Sequence, residues 1–133
     1  MTVRPETPTL CWGPITRTDL VRYAGASGDF NPIHHDVPFA RAAGMPDVMA
    51  QGMYSAGLVA SALERWFGQS CLLSYRVRFR APVWPGDRLV ARCDELEELE
   101  GGRAKVKVTF SRGDDELVLA ATASLRLSEE VPS

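Results

Sequence analysis

His34 and His35 are the only two histidines in the chain, and Asp29 lies five residues before the first of them. An imidazole titrates near neutral pH, so it can take a proton in one step and return it in the next. A carboxylate beside it can share a water with it, orient it or tune its pKa. The residues around Asp29 spell a turn, Ser27-Gly28-Asp29-Phe30-Asn31-Pro32. Glycine and Asn-Pro are turn formers, and Pro32 pushes Asn31 out of the helical region. Such a turn can fold side chains five apart towards one point. The same residues also fit a turn-capping aspartate next to a surface histidine, and spacing alone leaves both readings open. Other chemistries fit less well. His34, His35 and Asp36 are neighbours in sequence and seldom point at one ion, and the chain has no further cluster of ligands, so no metal site is expected. Tyr54-Ser55-Ala56-Gly57 lacks the glycine two residues before the serine that a nucleophile elbow needs. Nothing matches a phosphate loop or a dinucleotide fingerprint.

The elements that must position these residues fall into two halves. A first strand is expected within residues 9–15, closed by Gly13-Pro14. Thr16 and Asp19 form a capping box with Asp in place of Glu, and Leu20, Tyr23 and Ala24 continue at helical spacing, which predicts a helix from Arg17 to Ala26. Asp36 followed by Pro38 starts a second short helix that ends at Gly44. From Gln51 to Phe67 small and apolar residues cover nearly every side, with charge only at Glu64 and Arg65, the pattern of a buried helix. After Gly68 the period changes to two. Leu73, Tyr75, Val77 and Phe79 alternate with Ser74, Arg76, Arg78 and Arg80. A strand from Arg88 to Glu98 follows the Pro85-Gly86-Asp87 turn, Gly101-Gly102 marks a hairpin, and Val106, Val108 and Phe110 alternate with Lys105, Lys107 and Thr109. Leu117, Leu119, Ala121, Ala123, Leu125 and Leu127 form a last apolar face. Helices followed by hairpin-linked strands predict an α+β fold, an antiparallel sheet wrapped around one buried helix.

The 133 residues make one domain, spanning 1–133, with the tail 128–133 expected to be disordered. Fifteen basic against seventeen acidic residues give a net charge of −2, and 45% of residues are hydrophobic. That composition excludes a disordered chain, and it excludes nucleic-acid or anionic-membrane binding driven by overall charge. Charge is locally uneven. Five arginines between Leu72 and Arg92 stand against Asp87 alone, and five acids follow between Asp94 and Glu100. These are either solvated strand faces or, for some of the arginines, contacts to the phosphates of an anionic ligand. Three widely spaced cysteines, Cys11, Cys71 and Cys93, suggest neither a disulfide framework nor a zinc knuckle. The longest uncharged stretch, Val48 to Leu63, is too short and too polar to span a bilayer, and the N-terminus has no apolar run of the signal-peptide kind. The expectation is a cytoplasmic protein without a membrane partner.

Residues 23–40, YAGASGDFNPIHHDVPFA, resemble the signature of the MaoC-like (R)-specific enoyl-CoA hydratase family: an aromatic, a few small residues, G-D-x-N-P-aliphatic-H, and a small residue further on. Tyr23, Gly28, Asp29, Asn31, Pro32, Ile33, His34 and Ala40 all fit. The resemblance extends into Ala50-Gln51-Gly52-Met53, with Gln51 where the family usually has histidine. A helix followed by strands agrees with the family's single hot-dog domain. His34-His35-Asp36, Trp66-Phe67-Gly68 and Val83-Trp84 more weakly resemble the short subunit of a steroid-enoyl-CoA hydratase, which works with a second chain.

What the resemblance implies is reversible hydration of a trans-2-enoyl thioester, carried on CoA or acyl carrier protein, to a (3R)-3-hydroxyacyl product, with no cofactor. Asp29 and His34 would hold one water as the acid/base pair. Gly52, opening the long helix, would offer its backbone N–H to charge developing on the thioester oxygen. Asn31 would orient the loop or the pair, or only form the turn. His35 is expected to stand aside. Gly52, Ala56, Gly57 and Ala60 either leave room for a bulky acyl group or let the sheet pack closely. The family implies a homodimer, or a heteromer with a second hot-dog chain. A hot-dog thioesterase is the alternative enzyme, and a supporting subunit the alternative of another kind.

Overall fold

The computed structural model describes residues 6–113 and 115–127, so the 128–133 tail lies outside the described residues. The order is β1 (Leu10–Trp12), α1 (Arg17–Ser27), one 3₁₀ turn (Pro32–His34), α2 (Val37–Ala42), α3 (Gly52–Phe67), then β2 (Leu72–Phe79), β3 (Leu89–Leu99), β4 (Arg103–Arg112) and β5 (Glu116–Arg126). The strands form one sheet in the order β1-β3-β4-β5-β2, and every neighbouring pair is antiparallel. With α3 packed on the sheet, the domain is the expected α+β hot-dog.

Local chemistry starts and stops the helices. Thr16 Oγ1 accepts from Asp19 N–H at 3.1 Å and Asp19 Oδ2 accepts from Thr16 N–H at 2.8 Å, the reciprocal cap read in the sequence. Gly28 ends α1 at φ +77°, a left-handed conformation that a side chain would disfavour, and its N–H bonds Ala24 C=O. That turn delivers the chain directly into the Asp29 loop. Asp36 caps α2 by accepting from Phe39 N–H at 3.1 Å. Gly101 and Gly102 both have positive φ in the three-residue loop that joins Leu99 of β3 to Arg103 of β4, a conformation that glycine adopts without steric cost.

Helix α3 buries Ser55, Ala56, Val59, Ala62, Leu63, Trp66 and Phe67. Val59 and Leu63 join one core with Val106, Phe110, Leu119 and Leu125 of the sheet. A second stripe of the helix, including Met53 and Gly57, faces outward. The small residues nearest the sheet allow close approach. Ala56 C=O accepts from Tyr75 Oη at 2.8 Å, and the Phe79 ring lies against Gly52. Strand β4 keeps the predicted alternation, with Ala104, Val106, Val108 and Phe110 buried and Lys105 and Lys107 exposed.

Three expectations need correction. The first strand is shorter than residues 9–15 suggested, because only Leu10–Trp12 find partners on β3. The apolar alternation of β5 slips near its start: a bulge pairs Phe110 with Leu119 and Ser111 with Leu117, so Val118 is the residue buried there. The Asn31-Pro32 break is itself structured, as a 3₁₀ turn capped by Asn31.

Candidate active site

Asp29 and His34 converge. His34 Nε2 stands 3.4 Å from Asp29 Oδ2. The loop between them is tied by its own polar groups: Asp29 N–H donates to Ser27 Oγ, Asn31 N–H donates to Asp29 Oδ1, and Ile33 N–H donates to Asn31 Oδ1. This is an aspartate-led turn followed by an asparagine-led one. Asn31 therefore acts on the loop in two ways. Its side chain caps the 3₁₀ turn that carries His34, and its backbone holds one oxygen of Asp29, leaving the other towards the imidazole.

The far side of the imidazole is fixed by a group no motif announces. His34 Nδ1 lies 2.7 Å from Met49 C=O. A carbonyl can only accept, so Nδ1 carries the hydrogen and the neutral ring presents a bare Nε2 to Asp29. With Asp29 ionised, both facing atoms are acceptors. A water placed between them can donate one hydrogen to each. The His34 side chain is 11% exposed and that of Asp29 45%, so the carboxylate forms the open side of the pair. His35 points elsewhere, its Nε2 against Phe30 C=O at 3.2 Å, and is exposed.

Met49 links the pair to the start of α3. Its N–H bonds Ile33 C=O, the next residue's N–H bonds Val83 C=O, and Gly52 follows as the first residue of the helix. A first-turn amide has no carbonyl of its own helix to bond, and it sits at the positive end of the helix dipole. Gly52, Met49, Met45, Phe79, Val83 and Val118 line a mainly apolar cavity of about 380 Å³. A larger groove of about 430 Å³ lies on the opposite face of the sheet, among Arg76, Glu95, Lys105 and Lys107, away from the histidine. Gln51, the departure from the family pattern, is buried in the cavity wall. Its Nε2 donates to Leu20 C=O at 3.0 Å, which ties α3 to α1, and its Oε1 has no partner among the described residues.

The arginines of the basic stretch scatter. Arg76 and Arg78 lie on the face of β2 opposite Tyr75 and Phe79, while Arg92 stands on β3, 3.7 Å from Asp115. Among the described residues no helix is long and apolar enough to cross a membrane.

Fold and relatives together make the chain an enzyme of the hydratase/dehydratase type, and in it a histidine and a carboxylate face each other near an apolar cavity. The chain belongs to the MaoC-like domain family, whose sequence pattern matches residues 3–116. A 3-hydroxybutyryl-CoA dehydratase of Methylorubrum extorquens is 34% identical over 119 residues, 87% of this chain and 75% of that protein. The R-hydratase PhaJ1 of Pseudomonas aeruginosa superposes with a TM-score of 0.87 at 26% identity, over 97% of this chain and 84% of that one. A chain of the ChsH1-ChsH2 complex of Mycobacterium tuberculosis gives 0.84 at 28% identity, over 96% of this chain and 100% of that one.

Proposed function

We propose that this chain catalyses the reversible addition of water to trans-2-enoyl-CoA, giving (3R)-3-hydroxyacyl-CoA. The observation that carries the reading is the facing pair, His34 Nε2 and Asp29 Oδ2 at 3.4 Å, with the imidazole held from behind by Met49. One of the two takes a proton from the shared water as its oxygen bonds to C3. The C2–C3 π electrons move towards the thioester, and charge builds on the carbonyl oxygen. The Gly52 N–H receives that charge. The proton taken from the water is then passed from the pair to C2, so each turnover consumes one water and returns the pair to its starting protonation and charge. The apolar cavity takes the acyl chain. Likeness to an R-hydratase supports the (3R) hand and likeness to a CoA dehydratase supports the carrier.

The full-length match to a chain of a two-component complex favours a second reading, in which this chain is one subunit of a heteromeric enoyl-CoA hydratase. In either case it works paired with another hot-dog unit. Incubating the protein with crotonyl-CoA, and following both loss of the enoyl absorbance and release of free thiol, separates the alternatives. Hydration without thiol release, with a product oxidised only by a (3R)-specific dehydrogenase, is expected. Thiol release without hydration would make it a thioesterase, and inactivity in both assays would leave a supporting subunit.

A further inference from the structure

Gln51 is an unusual residue for its place. It stands at the N-cap of α3, where a side-chain oxygen ordinarily accepts from a first-turn amide, yet its side chain makes no such bond. It turns inward instead and is 1% exposed. Nε2 donates to Leu20 C=O at 3.0 Å, and because a carbonyl can only accept, that bond fixes which end of the amide faces α1. Oε1 is thereby turned away from Leu20, and it has no partner among the described residues. A buried acceptor left unpaired forfeits its bond to water and gains nothing in return, so its presence calls for a group that donates to it.

Gln51 lies in the wall of the apolar cavity. One turn along α3, Ser55 lines the same cavity, is also buried, and has no hydrogen bond from its hydroxyl to any described residue. No other lining side chain carries a nitrogen or an oxygen. Residues four apart at the start of a helix are neighbours in space. The cavity therefore has one polar spot, made of an oxygen that can only accept and a hydroxyl that can donate or accept.

We propose that Gln51 and Ser55 make the acyl cavity selective for a chain that carries a hydroxyl group. This selection rests on the reading that the cavity takes the acyl chain of an enoyl thioester, and it adds which chains are preferred. A hydroxyl donates its hydrogen to Gln51 Oε1 and accepts one from Ser55 Oγ, so both groups are satisfied at once. A ketone can only accept and leaves Oε1 unpaired. An ammonium finds no counter-charge, because no lining side chain is ionisable. A methyl group covers Oε1 with carbon and supplies no donor. Sites that hydrogen-bond a substrate hydroxyl discriminate against the analogue lacking it, because the site's own polar groups are then left unpaired. A water held by the same two groups is the competing occupant, and an acyl hydroxyl must displace it.

The test compares kcat/KM for hydration of short trans-2-enoyl-CoAs whose chains end in hydroxyl with their counterparts that end in methyl, matched in heavy atoms. An apolar cavity alone favours the methyl, since burying carbon is favourable and stripping water from a hydroxyl is not. The Gln51–Ser55 pair should reverse that order, with an advantage of about tenfold for the hydroxyl at the best chain length, which is what one net hydrogen bond supplies. Ser55→Ala leaves the Gln51–Leu20 bond in place and should bring the ratio to one or below. Gln51→Met should do the same, with thermal melts to establish folding because it also gives up the tie to α1. Ser55→Ala decides the matter if Gln51→Met does not fold. A preference for methyl at every length, or a hydroxyl preference that survives Ser55→Ala, overturns the selection and leaves the hydratase reading intact. If no thioester is hydrated, that reading falls, and calorimetric binding of saturated acyl-CoAs with the two endings to wild type and Ser55→Ala decides the selection by the same ratio.

Discussion

At Asp29 the two carboxylate oxygens have different work: Oδ1 accepts the Asn31 N–H, and Oδ2 faces the imidazole. Asp29→Asn keeps the size and the turn bond but removes the proton acceptor, and His34→Ala removes the ring. General acid–base groups contribute about 10²–10⁴-fold, so each change should lower hydration by that order. On the proposed mechanism both act on one water, so the double variant should lose little more than the worse single one. His35→Ala touches only the contact to Phe30 C=O and should keep most activity. Steady-state rates on crotonyl-CoA, with thermal melts to establish folding, check all four. A folded Asp29→Asn chain at wild-type rate would refute the pair.

Two contacts between α3 and β2 govern the element scale. A Cβ on Gly52 would lie 3.3 Å from the Phe79 ring, so Gly52→Ala must push that half-exposed ring or shift the helix start. The expected result is a folded protein whose hydration rate falls roughly tenfold or more, short of the ~10²–10³ lost when an oxyanion donor is removed outright. Adding Phe79→Ala should recover part of the rate, and an undiminished Gly52→Ala would show that the close approach is not needed. Nearby, burial pushes the Tyr75 hydroxyl up to about 12 from an ordinary value of 10.0. The folded chain then keeps a proton that the unfolded chain releases between those values. Stability is therefore fully present below pH 10 and declines as pH rises towards 12. Melts across that window should show the decline, and Tyr75→Phe should reduce it while costing about 1 kcal/mol at neutral pH through the lost bond to Ala56.

For the whole molecule, the cavity proposed to take the acyl chain gives an expectation for substrate size. At about 380 Å³ it lies at the lower end of the ~300–1,000 Å³ typical of ligand pockets. Two of the small residues on α3 serve close packing, since Gly52 lies beneath Phe79 and Ala56 bonds Tyr75, while Gly57 meets nothing within 4 Å. The chain by itself should therefore hydrate crotonyl-CoA at least as fast as a steroidal enoyl-CoA, as measured by kcat/KM on both. A marked preference of the isolated chain for the bulky thioester would show that the pocket extends beyond the walls described.

What the sequence by itself determined is what depends on neighbours along the chain. The Thr16–Asp19 cap, the Asp36 cap, the Gly101-Gly102 hairpin and the change of period after Gly68 are short-range signals, and each reads directly into an element. The Asp29–His34 turn belongs with them, because five residues of Gly, Asn and Pro chemistry suffice to fold it. Only the tertiary structure decided how that turn is used. Met49, fifteen residues on, fixes which nitrogen of His34 faces Asp29, and nothing in the type of a residue that acts through its backbone carbonyl announces this. The bulge that buries Val118 in place of Leu117 depends on the partner strand, so alternation within β5 could not show it. The arginines of β2 and the acids of β3 are near in sequence, but the order β1-β3-β4-β5-β2 sets two strands between them. Opposite charges that look paired along the chain are thus held apart by the sheet.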